Sequence, residues 1–566
     1  MKTIKPNIVL LTLPFWSPLI PAQGIAHLKN YLKTHGFKIF TADLTAEEIF
    51  LEYYREYFNC LSEIIPEEKR GNFYNVGHDI LRGHLEAFNN KNIDKSYYNL
   101  IEKHIYYNFY LTTSLKFIRK LDNIVASFYK QLATYITELL FANTPDVLGL
   151  SVNSGNIGPS VFVFKLAKKL FPNIRNVMGG SIYFNHLSYN SPDFNEFIKI
   201  TDSYIDNYII GKGEVLLHRI LENKFPQQKK VFTNKDMTDE EITICSNNLP
   251  DMSDYKLDKY LYLAASASSS CPNNCSFCNV NFFFGPHKKK DVTQTVKEMK
   301  RLQDNYGHIL FFMTDSLLNT VITGLAEELI KNQIKVYMDG YFRIDEAASI
   351  LKNTLLWRQG GFYRARIGTE SGSQKILDFM GKNITPELTR KAILGLAEAG
   401  IKTTTYWVVG HPEETDEDFQ MTLDLIAELK DYIYQAECNP FTYYYLGQAS
   451  TNEWFDKKYL LYSDEIRDML YTQTWCLDLY PQREIIYKRV QQFGEHCRQL
   501  NIPNPYTISE INHADNRWKQ LHIKSVPSII EINNMEKALN LKNNKAIMVQ
   551  VEANNNDIGN FDFEDF

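Results

Sequence analysis

The chain has 566 residues, 44 % of them hydrophobic and 23 % charged, with a formal net charge of −6 at pH 7. That length suits two large domains plus an appendage, each with an ordinary globular core. The acidic balance argues against a polyanionic partner, so no nucleic acid is expected, and no apolar run is long enough for a membrane span.

Of the eight cysteines, Cys60, Cys245, Cys438, Cys476 and Cys497 are isolated and read as small apolar residues. Free thiols belong in a reducing compartment, so a cytoplasmic location is expected.

Lys2 and Lys5 precede the apolar run Ile8 to Trp16, a pattern that superficially imitates a secretory signal. The run is short, contains Pro14 and leads into a helix-like segment, so it reads as a first buried strand. Pro21 to His35 carries Ile25, Leu28 and Leu32 at helical spacing, and Gly36 to Phe40 returns as a strand. Thr45 to Asn143 is rich in Tyr and Phe, with helical periodicity and few Gly or Pro. It reads as a helical insertion that either caps a ligand crevice or serves as scaffold. Strand and helix signals resume at Asp146–Ser151, at Val163 to Leu170, at Asn176–Gly180 and at Tyr208–Ile210. Gly179, Gly180, Gly211 and Gly213 stand at strand ends, where they allow close approach of a ligand or simply make turns. Residues 1–250 are therefore expected to form a doubly wound, Rossmann-like parallel sheet with a crevice at the strand C-termini.

A different signal follows in Cys271-Pro-Asn-Asn-Cys275-Ser-Phe-Cys278. A C-x3-C-x2-C loop can bind three irons of a [4Fe–4S] cluster and leave the fourth to a small molecule. A structural zinc site is a second reading, but the next Cys or His after Cys278 is His287. Three metal-free cysteines in a buried loop is a third, and Pro272, Asn273 and Asn274 argue against it. The short basic run Lys288–Lys290 beyond the loop reads as a solvated loop.

From 251 to 450 strands alternate with helices as in a partial (β/α)6 barrel. The strands are Tyr262–Ala265, His308–Met313, Lys335–Asp339, Tyr363–Ile367 and Thr403–Val409. After the first, each ends in polar or glycine residues: Thr314-Asp315-Ser316, Gly340-Tyr-Phe-Arg343, Gly368-Thr-Glu370-Ser371-Gly372, and Gly410-His-Pro-Glu-Glu-Thr415. Residues 451–525 are expected to form a helical C-terminal cap, with Trp475 and Cys476 in a helix. Residues 526–566 are expected to form a flexible acidic tail.

The cysteine spacing resembles the radical S-adenosylmethionine (SAM) superfamily. Gly368–Gln374, Leu377, Met380-Gly-Lys382 and Val409–Thr415 are similar to the post-strand motifs of its cobalamin-binding subfamily, of the natural-product and peptide-modifying type. The segments Leu148–Ser151, Val177–Gly180 and Ile210–Glu214 resemble the cobalamin domain that precedes the barrel there. The Asp-x-His-x-x-Gly motif that supplies a cobalt ligand in many cobalamin domains is missing from the sequence. Thr314-Asp315-Ser316-Leu-Leu-Asn319 stands where a Gly-Gly-Glu element is common, with Asp315 a candidate contact for the SAM ammonium or the substrate. Arg343, at the end of the third strand, is a candidate partner for the SAM carboxylate, and Ser270 stands where a Gly is common before the first cysteine.

The resemblance implies that Cys271, Cys275 and Cys278 ligate the cluster. It implies that Phe277, Asp315, Arg343, Glu370, Ser371 and Gly410 contact SAM, and that Gly179, Gly180, Gly211 and Gly213 border cobalamin. It further implies a flavodoxin or ferredoxin as electron donor and a small-molecule or peptide substrate. The expected activity is cleavage of SAM to a 5′-deoxyadenosyl radical, followed by cobalamin-dependent methylation of an unactivated carbon. Cobalamin-independent cyclisation, epimerisation or cross-linking is an alternative. So, from another class, is a non-catalytic cobalamin or iron–sulfur sensor.

Overall fold

The computed structural model describes residues 5–14, 19–90, 95–184, 186–447 and 452–540. Six parallel strands form the first sheet: β1 (Asn7–Thr12), β2 (Lys38–Asp43), β3 (Val147–Ser151), β4 (Arg175–Gly179), β5 (Asn207–Ile210) and β6 (Val231–Thr233), in the order β2-β1-β3-β4-β5-β6. The order reverses between β1 and β3, which makes the C-terminal ends of those strands the place where a doubly wound sheet takes a ligand.

Period-two alternation sets the two faces of this sheet. Ile8 and Leu10 pack with Ile25 and Leu32 of α1 (Gln23–Thr34), while Val9 and Leu11 face the opposite core. That second core is filled by the insertion: α2 (Glu48–Ser62), α3 (Glu67–Arg70), α4 (Phe73–Asn89), α5 (Lys95–Phe109) and α6 (Leu115–Asn143). Phe50, Ile80, Leu121 and Leu132 from these helices share it with Tyr462 and Tyr471 of the C-terminal region. The insertion thus bolts the two ends of the chain together. It also touches the second sheet, where Asn72 and Asn75 donate to Cys438 O at 2.9 Å and Glu437 Oε1 at 2.8 Å. Ser151 is followed by α7 (Ile157–Leu170), and α8 (Pro192–Thr201) and α9 (Glu214–Leu221) complete the layers.

The second half starts from a linker tied to α1, where buried Lys29 meets Asp254 at 2.9 Å and Asp251 at 3.4 Å. Its main strands are β7 (Leu263–Ala265), then, after a small hairpin of β8 (Ser268–Ser269) and β9 (Lys288–Lys289), β10 (Leu310–Met313), β11 (Tyr337–Arg343), β12 (Phe362–Glu370), β13 (Lys402–Val409) and β14 (Gln435–Pro440). They pair in parallel and in sequential order, β7-β10-β11-β12-β13-β14, a partial six-stranded barrel. Its interior is partly ionic. Asp339 is fully buried and accepts from Arg364 Nε and Arg366 Nε, both at 2.7 Å, and from the Tyr262 hydroxyl at 2.8 Å.

Two expectations about the C-terminal region are corrected. Trp475–Leu477 is a strand, β16, antiparallel to β15 (Lys458–Leu460), and not part of a helix. Pro481 cannot continue a helix through this segment, and the regular helix begins only at Arg483 and runs to Gln499. Residues 526–540 are not a tail. A helix over 529–540 closes the N-terminal end of the barrel, with Val526, Ile529 and Ile532 buried against Tyr262, Leu310 and Tyr337, and Glu536 accepting from the Ile309 amide at 2.8 Å. Three apolar side chains spread among polar ones escape a composition argument. The rest of the expected tail, 541–566, lies outside the described residues. No helix among the described residues is long and apolar enough to cross a membrane.

Candidate functional site

The cysteine loop is closed at its neck before any cysteine is reached. Ser268 and Ser269 pair with Lys289 and Lys288, and the Asp315 carboxylate accepts from the Ala267 amide (3.1 and 3.0 Å) and the Ser268 hydroxyl (2.5 Å). Asp315 is fully buried, and these contacts direct both of its oxygens at the loop. Its expected role facing SAM is therefore corrected to that of an anchor.

Inside the neck, Ser270 has a φ of 63°, the left-handed region in which glycine is at ease and other residues are strained. Its hydroxyl compensates by donating to Gly285 O and to Asn281 Oδ1. Asn281 in turn donates to Asn273 O at 2.7 Å and Asn274 Oδ1 at 2.6 Å, so one side chain fixes the turn between the first two cysteines. On the far side Ser276 hydrogen-bonds the carbonyls of Met380 (2.9 Å) and Phe379 (3.1 Å). The Met380-Gly-Lys382 segment is thus a buttress for the loop.

Cys275 is buried, whereas Cys271, Phe277 and Cys278 are partly exposed. Burial raises the Cys278 thiol, Cys275 and Cys271 raise it further, and Lys382 opposes them. The three sulfurs therefore share one neighbourhood. Arg343, the last residue of β11, donates to Cys275 Sγ at 3.3 Å, and Asn273 donates to Cys271 Sγ at 3.6 Å. Arg343 and Lys382 thus place positive charge beside the cysteine loop. The fourth ligand that a zinc site needs is not supplied by His287, whose ring nitrogens contact Ser269 O at 3.1 Å and Thr320 Oγ1 at 3.2 Å. Among the described residues no three His, Cys, Asp or Glu side chains gather closely enough for a single metal ion.

The next two strand ends complete this face. A bulge between Gly368 and Glu370 turns Glu370 to a φ of 64°, and its carboxylate accepts from Lys382 Nζ at 2.5 Å in a buried pair. Ser371 is 1 % exposed, accepts from the Ser373 amide at 3.1 Å and meets Thr422 Oγ1 at 3.3 Å. It braces the turn rather than facing a ligand. Gly410 has a φ of 82°, lies under Ile486 and donates to Glu414 Oε2 at 2.8 Å. Arg489 holds that carboxylate at 2.7 Å from the other side.

The glycines of the first domain differ in what surrounds them. A Cβ on Gly180 would fall 2.2 Å from Val152 O, one on Gly211 2.4 Å from Asn234 Oδ1, and one on Gly213 3.3 Å from Leu28. Gly179 sits 3.7 Å from Ile209 O by the same measure. At Gly180 and Gly211 the missing side chain makes room for the protein's own chain.

A cleft that the sequence did not reveal joins the two sheets. It has a volume of about 250 Å³ and is lined by Arg82 and His104 of the insertion, Ser154 and His186 after β3 and β4, Gly410 and Tyr443 after β13 and β14, and Arg483. These residues come from six separate stretches of chain, and no spacing rule links them. The run Tyr443-Tyr-Tyr445 was the one local signal. Burial and then Arg82 depress His186 to about 3, so its imidazole is neutral near pH 7.

A family model described as the radical SAM superfamily matches residues 266–426. Residues 266–426 thus carry a radical SAM domain, which makes the chain an enzyme and implies a [4Fe–4S] cluster and SAM as cofactors. Among similar proteins, an uncharacterised methyltransferase of Pyrococcus horikoshii is 25 % identical over 331 residues, 54 % of this chain and 69 % of that protein. The anaerobic magnesium-protoporphyrin IX monomethyl ester cyclase of Rubrivivax gelatinosus is 24 % identical over 52 % of this chain and 56 % of that one. The match thus spans little more than half the length of the cyclase.

Solved structures with the same architecture include the radical SAM methyltransferase TsrM of Kitasatospora setae, bound to tryptophan and a SAM analogue. It has a TM-score of 0.57 at 13 % identity, over 95 % of this chain and all of that one. The cobalamin-dependent radical SAM enzyme OxsB, with aqua-cobalamin and SAM bound, has a TM-score of 0.54 at 15 % identity, over 99 % of this chain and 82 % of that one. At these identities the likeness is one of fold.

Proposed function

We propose that this enzyme is a cobalamin-dependent radical SAM methyltransferase acting on an unactivated carbon of a natural product or peptide. The observation that carries this reading is the shared cleft, onto which the strand ends of the doubly wound sheet and of the barrel both open. Fold likeness to TsrM over 95 % of the chain and the methyltransferase relative support it. The cyclase relative supports the alternative, a cobalamin-independent cyclisation driven from the same barrel.

Cys271, Cys275 and Cys278 would hold the cluster, which when reduced supplies the electron that cleaves SAM. Arg343 and Lys382 offset the charge of the thiolates. Glu370, Phe277, Gly410 and Arg343 lie at the barrel's strand ends and keep their proposed part in SAM binding. Glu370 would meet the ammonium or ribose hydroxyls while Lys382 fixes its carboxylate. Ser154, Ser191 and His186 are neutral polar groups on the cleft wall contributed by the first domain, and they would meet one edge of the amide-rimmed ring of cobalamin, the methyl carrier, which is too large for a cleft of about 250 Å³ to enclose whole. Delivery of the electron by a flavodoxin or ferredoxin, in a reducing cytoplasm, belongs to the same proposal.

The test is anaerobic reconstitution and reduction, with SAM present and cobalamin supplied or withheld, followed by mass spectrometry. 5′-Deoxyadenosine that disappears in Cys275→Ala, with cobalamin-dependent S-adenosylhomocysteine beside it, is the expected result. 5′-Deoxyadenosine without any response to cobalamin would favour the cyclisation alternative. A reducible cluster on a protein that binds no SAM would sink both.

A further inference from the structure

Arg82 rises from α4 into the cleft with its guanidinium poorly matched. Its Nε is buried without a partner among the described residues, and its terminal nitrogens reach only His186 Nε2 at 3.4 Å and Asp79 at 3.5 Å. Asp79 is half exposed at the rim, and Glu86, one turn further along α4, is consumed by Tyr471 and Thr472 at 2.8 to 3.3 Å. Arg483 stands on the same cleft and is satisfied by neutral groups, the Tyr107 carbonyl and the Tyr487 hydroxyl. The fields of both guanidiniums reach the same two side chains, His104 and Tyr462. The remaining carboxylate on the wall, Asp193, is engaged by Trp475 Nε1 at 3.1 Å.

A buried donor without an acceptor is costly, and for a guanidinium the cost is greater than for a neutral group. An oxyanion in the cleft would supply the acceptor that Arg82 Nε has not found among the described residues. Much of the remaining lining is aromatic, with the Tyr445 and Trp475 rings tilted against each other at 5.0 Å and the Tyr443 hydroxyl buried and unpaired among the described residues. The volume of about 250 Å³ falls just below the range of about 300 to 1,000 Å³ common for ligand pockets.

We propose that Arg82 and Arg483 form an oxyanion subsite of this cleft, and that the substrate is a compact molecule or peptide end with a carboxylate or phosphate on a flat, apolar body. This rests on the enzyme reading above, since it names the substrate class of that same cleft.

The test uses the reconstituted full chain with SAM and hydroxocobalamin both present, and the probes 1-naphthoate, 1-naphthyl phosphate and neutral 1-naphthamide. Binding is read by ligand-observed NMR and calorimetry. At least one oxyanion probe should bind about tenfold or more tightly than the amide, as a charge-assisted contact requires. That preference should vanish in Arg82→Gln or Arg483→Gln while SAM and hydroxocobalamin are retained. The ratio of naphthoate to naphthyl phosphate binding separates a carboxylate from a phosphate site.

Equal binding of acid and amide by the wild-type chain overturns the subsite without recourse to any variant, so poor folding of a variant does not protect it. Absence of oxyanion binding, or a preference that survives both substitutions, overturns it as well. Loss of hydroxocobalamin or SAM in the variants, instead of the probe, would assign the arginines to a cofactor's own phosphate or carboxylate and overturn the substrate assignment. Failure to form 5′-deoxyadenosine would count against the enzymatic reading alone, because probe binding needs no turnover.

Discussion

The Arg343 guanidinium donates to the sulfur of Cys275 across 3.3 Å, from the last position of a barrel strand to the middle cysteine of the loop. A cation fixed beside a thiolate stabilises its ionised form and eases the addition of an electron to whatever that thiolate binds. Arg343→Ala should therefore lower the midpoint potential of the reconstituted cluster and slow 5′-deoxyadenosine formation about tenfold or more, given the strength of a charged hydrogen bond. Arg343→Lys should restore part of both. Redox titration followed by EPR checks the first, and equal potentials in wild type and Arg343→Ala would refute it.

Ser270 offers a second test because strain and hydrogen bonding oppose each other there. Ser270→Ala keeps the left-handed φ and loses the hydroxyl bonds. Ser270→Gly loses the same bonds but removes a conformational cost of about 1 kcal/mol. Cluster retention against a chelator should rank wild type above Gly and Gly above Ala. Ala holding its iron better than Gly would refute the account.

The Lys382–Glu370 pair is buried at 2.5 Å, so removal of one partner leaves an uncompensated charge. Lys382→Met should destabilise the fold by about 3 to 5 kcal/mol, and the double variant with Glu370→Leu should recover much of that loss. Urea denaturation of the single and double variants measures the coupling. SAM affinity should stay low in both, since the proposed Glu370 contact is perturbed in one and absent in the other.

Acid sensitivity follows from two buried imidazoles. Burial, with Arg82 and other cations adding to it, holds His104 at about 3, and burial holds His411 at about 4. Both folded values lie below the ordinary 6.5, so the unfolded chain binds more protons between pH 6.5 and about 4. Stability is therefore lost as the pH falls through that window, by up to about 1.4 kcal/mol per pH unit for each histidine. His104→Asn should flatten the slope of unfolding free energy against pH by close to one proton, measured by denaturant titration at several pH values.

How far the sequence could carry this account depended on the distance over which a pattern acts. The alternation in Ile8 to Leu13 reports on the sheet because the two faces of a strand are set by adjacent residues, and the cysteine spacing reports on a cluster because the loop is short. The strand-end polar residues located the barrel's working face. Their aim was another matter. Asp315 and Ser371 stand at barrel strand ends, but one is turned onto the backbone of the cysteine loop and the other onto its own turn. Gly180 and Gly211 also make room for Val152 and Asn234, a packing reason that their place at strand ends does not reveal. Arg82, His104 and Arg483 meet across some four hundred residues of chain, and only the packing of the helical insertion brings them together. The helix over 529–540 was missed because Ile529, Ile532, Met535 and Leu539 suffice to plug a barrel end but not to alter a composition.

The neck formed by Ser268, Ser269, Lys288 and Lys289, with Asn281 clamping the turn inside it, consists wholly of protein-to-protein hydrogen bonds. The socket is consequently built by the chain and not by its cargo, unlike small zinc domains that collapse when stripped. Air damage to such a centre empties a standing receptacle. The stripped enzyme should persist as a folded protein that can be refilled with iron and sulfide, and its working life is then limited by repair of the metal site, not by survival of the polypeptide.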